Sequence, residues 1–149
     1  MLAKYFFCEG NQHITLLGIG MGSEDTLTIQ GKRAVEKADL IIGARRIADA
    51  VALPGQEVFY EYRSREIVDY IQNHPEYSNI VVALSGDVGF YSGARKLLEL
   101  FGEASIQPEI ICGISSVVYF MSKIGLSWDD AKIVSAHGKN CNLISLIRS

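Results

Sequence analysis

The chain of 149 residues is 48% hydrophobic and 21% charged, with a formal net charge of −3. It is apolar enough to fold around a core, which excludes a disordered chain, and its acidic balance offers no electrostatic footprint for nucleic acid. No segment approaches the roughly 18 consecutive apolar residues of a membrane-spanning helix, and the first ten residues hold too short an apolar stretch for a secretory signal.

Residues 1–12 read as an N-terminal extension. His13 to Gly18 reads as a first strand, apolar enough to be buried on both faces. The turn Gly18-Ile-Gly-Met-Gly-Ser-Glu-Asp25 follows, and a helix starts near Thr28, whose hydroxyl can cap it, and runs to Ala38. Asp39 to Gly43 is a second strand; Arg45 and Arg46 open a second helix that ends by Leu53-Pro-Gly55. Glu57 to Tyr60 is a third strand. A helix follows over Arg65 to His74, with Ile67, Val68 and Ile71 at helical spacing. Ile80 to Leu84 is a buried strand, leading through Ser-Gly-Asp-Val-Gly-Phe-Tyr-Ser to a helix over Ala94 to Phe101. An extended run from Ile106 to Cys112 precedes Gly113-Ile-Ser-Ser116 and a helix from Val117 to Ile124, ended by Gly125. Alternating short strands and helices imply an α/β fold: a mainly parallel sheet with flanking helices over residues 13–127. Residues 128–149 read as one more strand, a polar turn and the start of a helix, the beginning of an incomplete second α/β domain.

Three turns fall in the same architectural place, after a strand and before a helix: Gly18–Asp25, Ser85–Ser92 and Gly113–Ser116. The carboxyl edge of a parallel sheet is where ligands bind, and the N–H groups of such turns suit the polar parts of a small molecule. The plainer reading is three scaffold turns, with Asp87 or Ser92 capping a helix. Gly18-x-Gly20-x-Gly22 does not fit the dinucleotide pattern, because its third glycine comes one position early and the second strand ends in Gly-Ala-Arg-Arg. No P-loop, catalytic triad or metal-ligand spacing is present. Cys8, Cys112 and Cys141 are odd in number and lack C-x-x-C spacing, as a reduced cytoplasmic setting would have it. Arg45, Arg46, Arg63 and Arg65 follow strand-like segments; each suits carboxylate recognition or simply a solvated helix start. His13 and His74 read as structural, and His137 as a loop residue or a ligand contact.

Together these turns resemble the tetrapyrrole methylase family. Gly18-Ile-Gly-Met-Gly22 with Glu24-Asp25, Gly86-Asp87-Val88 and Cys112-Gly-Ile-Ser-Ser116 are similar to its three loop motifs, with Met21, Val88 and Cys112 where proline is common. Ser85-Gly-Asp-x-Gly-Phe-Tyr-Ser92 and Ser135-Ala-His-Gly138 most resemble the branch acting at C5 of the corrin ring. The resemblance implies C-methylation of a precorrin or cobalt-precorrin in cobalamin biosynthesis, with S-adenosylmethionine as donor. It implies donor contacts from Met21, Ser85, Gly86, Asp87, Phe90, Ser115, Ser116 and His137, and acceptor contacts from Arg45, Arg46 and Tyr91. It implies no metal, nucleic-acid or membrane partner, a corrinoid substrate, a homodimer and a link to a decarboxylating C15-methyltransferase. Because the family continues through a full second domain, a truncated, catalytically silent half-protein or interaction module is the competing expectation. A methylase for another acceptor (an earlier precorrin, a diphthine precursor or ribosomal RNA) is a third.

Overall fold

The computed structural model describes residues 12–90, 92–129, 131, 133 and 134. Five strands, β1 (His13–Gly18), β2 (Leu40–Gly43), β3 (Glu57–Tyr60), β4 (Asn79–Leu84) and β5 (Glu109–Ile111), form one sheet in the order β3-β2-β4-β1-β5. Every pairing is parallel. The helices are α1 (Ile29–Lys37), α2 (Arg45–Ala48), α3 (Ser64–Asn73), α4 (Ala94–Glu103) and α5 (Ser116–Ile124), with a 3-10 turn over Glu24–Thr26.

Successive strand side chains point to opposite faces, so a strand apolar at every position needs cover on both sides. Ile14, Leu16, Leu40, Ile42, Ile80 and Val82 pack on one face against Ile67, Val68 and Ile71 of α3 and Leu97, Leu100 and Phe101 of α4. Leu17, Ile41, Val81, Ala83 and Ile111 pack on the other against Val35 of α1 and Ala48 of α2. The two clusters interleave residue by residue along β2 and β4, as the period of two requires. Thr28 caps α1 as expected, its Oγ1 accepting from the Gly31 N–H (3.0 Å).

Two elements are shorter than the sequence suggests. The second helix is a single turn, because Gln56 claims the chain that follows it. The Gln56 Nε2 donates to the Val35 and Ala38 carbonyls (2.7 and 2.9 Å) at the end of α1, and its Oε1 accepts from the Leu53 N–H. These bonds pull residues 53–56 back toward α1 instead of extending α2. The last strand is confined to Glu109–Ile111: Pro108 has no N–H for the ladder, and the Ile106 N–H donates to the Phe101 carbonyl at the end of α4 (2.8 Å).

His13 is not isolated. Its Nε2 lies 3.0 Å from one Glu109 carboxylate oxygen, and Gln30 donates to the other (3.1 Å), joining β1, β5 and α1 at the amino edge of the sheet. His74 sits edge-on to Tyr70, with ring centroids 3.9 Å apart. Beyond the sheet, α5 buries no side chain among the described residues, and Val118, Phe120, Ile124, Leu126 and Trp128 are exposed. Ala131, Ile133 and Val134 are outside any strand, so the strand expected there is absent at those positions; an extended segment needs a ladder partner to satisfy its backbone. The remainder of that expected βα unit, residues 135–149, lies outside the described residues.

Candidate functional site

Because the sheet is wholly parallel, its strand ends lie along one edge. β4, β1 and β5 are neighbours, so the three glycine-bearing turns meet. The contact is backbone on backbone. A Cβ built on Gly18 would stand 2.7 Å from both the Gly113 nitrogen and the Gly86 oxygen, and one built on Gly113 would stand 2.5 Å from the Gly18 oxygen. These lie under the 3.0 Å below which something must shift. Glycine is required at Gly18 and Gly113 by space, since neither has a positive φ.

The first and second turns are also joined by a short ladder. Ile19 N–H donates to the Leu84 carbonyl (2.9 Å), and Gly20 and Gly86 exchange N–H···O bonds of 3.1 and 2.9 Å. Gly20 and Gly86 have φ of 63° and 68°, the left-handed region that favours glycine. Thr26, buried at the 3-10 turn, accepts from the Met21 N–H (3.0 Å) and donates to the Ser23 carbonyl (3.0 Å), so the loop is closed from within.

Asp87 connects the second and third turns. Its Oδ2 accepts from the Gly89 N–H (2.9 Å) and its Oδ1 from the Gly113 N–H (3.3 Å). The carboxylate therefore folds its own loop and ties β4's end to β5's. It does not cap α4. The N-cap of that helix is Gly93, which has no side chain to offer; the Ser92 Oγ just before it accepts from the Ala94 N–H (3.3 Å) and donates to the Val88 carbonyl. Ser115 is the N-cap of α5, accepting from the Val118 N–H (3.3 Å), and Ser116 is exposed as the first residue of that helix. Ser85 is exposed at the same edge, and Gly86 and Phe90 are half-buried beside it.

Arg45 and Arg46 are exposed at the end of β2, the neighbour of β4 on its other side. Arg63 is differently placed. Glu61, almost fully buried, accepts from the Tyr62 and Arg63 N–H groups (both 2.8 Å) and from Arg63 Nε and Nη2, the latter at 2.6 Å. Hydrogen bonds from the Arg63 side chain, then its backbone, hold the Glu61 carboxyl down at about 2. Arg63 is thereby engaged, at the start of α3, by a carboxylate of this chain; of its two sequence readings it fits the helix start and not a contact kept for a ligand. An acidic residue two positions before an arginine was the available signal. His137 and Tyr91 lie outside the described residues. Among the described residues no cluster of three or more His, Cys, Asp or Glu is placed to hold a metal.

The sequence profile described as Tetrapyrrole (Corrin/Porphyrin) Methylases matches residues 13–147. The chain belongs to the tetrapyrrole methylase family. It is 30% identical over 141 residues to a probable cobalt-precorrin-7 C(5)-methyltransferase of Methanocaldococcus jannaschii, covering 91% of this chain and 67% of that protein. It is 33% identical over 128 residues to a probable cobalt-factor III C(17)-methyltransferase of Methanothermobacter thermautotrophicus, covering 82% of this chain and 36% of that one. The fold is similar to that of the cobalamin-biosynthesis precorrin-6Y methylase of Archaeoglobus fulgidus, with a TM-score of 0.65 at 22% identity, over 87% of this chain and 67% of that one. The chain thus spans about a third to two-thirds of these relatives' lengths. The methyl donor of tetrapyrrole methylases is S-adenosylmethionine.

Proposed function

We propose that this chain forms the donor-binding part of an S-adenosylmethionine-dependent C-methyltransferase acting on a corrin precursor, with C5 as the methylated carbon. The observation that carries the reading is the glycine-floored edge where Asp87 fastens two loops together. A sulfonium donor lies over Ser85, Gly86 and Asp87 with Phe90 beside it and Met21, Ser115 and Ser116 bordering it; His137 is the remaining residue proposed to contact it. Ser115 contributes mainly as the cap that fixes α5's first turn.

The chemistry asks little of the side chains. An electron-rich ring carbon attacks the sulfonium methyl in line; the C–CH3 bond forms as the S–CH3 bond breaks, giving the neutral thioether, and the ring then loses a proton. Such a reaction needs two reactants aligned and water excluded, which rigid loops provide and which requires no strong base. Arg45 and Arg46, one strand from β4, are suited to the acceptor's ionised side chains through bidentate contacts.

C5 is favoured by the relative at 30% identity that covers 91% of this chain; the relative at 33% identity is a probable C(17)-methyltransferase, so C17 is the second reading. Calorimetric titration with S-adenosylmethionine tests the donor half: saturable micromolar binding is expected, and its absence from the full chain would remove the reading. Mass spectrometry of the methylated corrinoid product, with fragmentation to locate the new methyl group, decides between the two carbons.

A further inference from the structure

A second set of side chains on the same edge has a geometry of its own. Arg45 begins α2 directly after β2, and Tyr60 ends β3; the strands are parallel neighbours with Gly43 opposite Tyr60. The Arg45 guanidinium carbon lies 4.1 Å from the centre of the Tyr60 ring. The Tyr60 hydroxyl in turn donates to Asp49 Oδ1 (2.7 Å). Asp49 stands four residues after Arg45, the spacing at which an acid and an arginine on a helix ordinarily pair. Here that carboxylate is engaged by Tyr60, and Arg45 has no ion pair among the described residues.

The contrast with Arg63 is informative. Arg63 meets carboxylates on both sides, Glu61 at 2.6 Å and Glu66 at 3.6 Å, and has little left to offer a ligand. Arg45 instead has its guanidinium carbon over the Tyr60 ring. A guanidinium stacked on an aromatic ring keeps its N–H donors directed outward in its own plane, the arrangement that grips a carboxylate with two parallel hydrogen bonds.

We propose that Asp49, Tyr60 and Arg45 form a carboxylate-reading subsite for the acceptor. Arg45 makes the contact, and Tyr60 and Asp49 are positioning residues that keep its fork open. This rests on the proposed function, since the ligand is taken to be a macrocycle with ionised side chains. Strands in a sheet lie about 4.8 Å apart, which puts the end of β3 roughly 10 Å from the end of β4. A tetrapyrrole lying across the edge spans that distance, its ring near Ser85–Asp87 and a side-chain carboxylate at Arg45.

The test uses the full chain and two coloured corrinoids: dicyanocobyrinic acid, with free carboxylates, and dicyanocobinamide, in which they are amides. Absorbance titration should show the wild type binding the acid about tenfold more tightly than the amide, the factor expected of one charge-assisted pair. Arg45→Ala should abolish that preference, and Arg45→Lys should restore only part of it. Tyr60→Leu should reduce the preference as Arg45→Ala does, and Tyr60→Phe, which keeps the ring but releases Asp49 to pair with Arg45, should reduce it part-way. Affinity for S-adenosylmethionine should stay unchanged in all four, which also reports that they are folded. Equal binding of acid and amide by the wild type, or an unaltered preference in Arg45→Ala, overturns the subsite. Wild-type binding of S-adenosylmethionine with neither corrinoid bound overturns the subsite and leaves the donor reading standing; loss of donor binding as well defeats the function itself.

Discussion

Asp87 was legible as a functional candidate from its position between glycines at a strand end, yet its bonds could not be read there. Its partner Gly113 is 26 residues away, and only the adjacency of β1 to both β4 and β5 brings the two together. Asp87→Ala should weaken S-adenosylmethionine binding at least about tenfold by calorimetry, because it frees two N–H groups and unties two loops. Gly113→Ala should destabilise the fold by about 3 kcal/mol or more in urea unfolding, since its Cβ meets the backbone of Gly18 and Gly86 and not a yielding side chain. Glu61 gives a pH prediction. Its carboxyl is held down at about 2 in the fold, below the ordinary value of a free glutamate, so its stabilising effect is complete at neutral pH and is lost as pH falls from about 4.5 toward 2. Thermal melts across that range should therefore show a smaller acid loss for Glu61→Gln than for the wild type; equal acid dependence would mean that the Arg63 clasp is not the source.

At the level of elements, the sequence was most readable where hydrophobic period and punctuation agree. α1 shows Thr28 before its apolar positions, β4 is apolar from Ile80 to Leu84, and β1 is interrupted only by Thr15, itself buried. Readability failed where a distant residue decides. Nothing local says that Gln56 will reach the carbonyls of Val35 and Ala38 and end α2 after one turn. Nor does the apolar run from Ile106 reveal that its first N–H is claimed by Phe101. α5 was readable as a helix from its composition and Gly125, whereas the absence of a buried side chain on it among the described residues could be seen only in three dimensions. Thr28→Ala should cost about 1 kcal/mol by removing the cap of α1. Phe101→Ala, which empties a fully buried position at the end of α4, should cost about 3–5 kcal/mol in the same unfolding experiment.

Across the whole molecule, the parallel sheet and the shared edge were legible because strands and helices alternate and parallel strands need crossovers. The order β3-β2-β4-β1-β5 was not, since it depends on which faces the helices cover. Binding at one edge should nevertheless be felt everywhere in a cooperative fold. At a donor concentration a hundredfold above Kd, S-adenosylmethionine should add about 2.7 kcal/mol and raise Tm by roughly 5–10 °C in scanning calorimetry. An unchanged Tm at saturation would show that the donor does not favour the native state.

The glycine contact among Gly18, Gly86 and Gly113 has an evolutionary consequence. A platform built from main chain presents no side chains to exchange, so drift in residue type cannot readily reshape it. The charged and aromatic groups at the ends of β2 and β3 carry no such constraint. Under the proposed function, a change in which ring carbon receives the methyl group can arise by altering the second set while the first stays fixed. Donor chemistry and regiochemistry would then be separately inherited properties of one sheet edge.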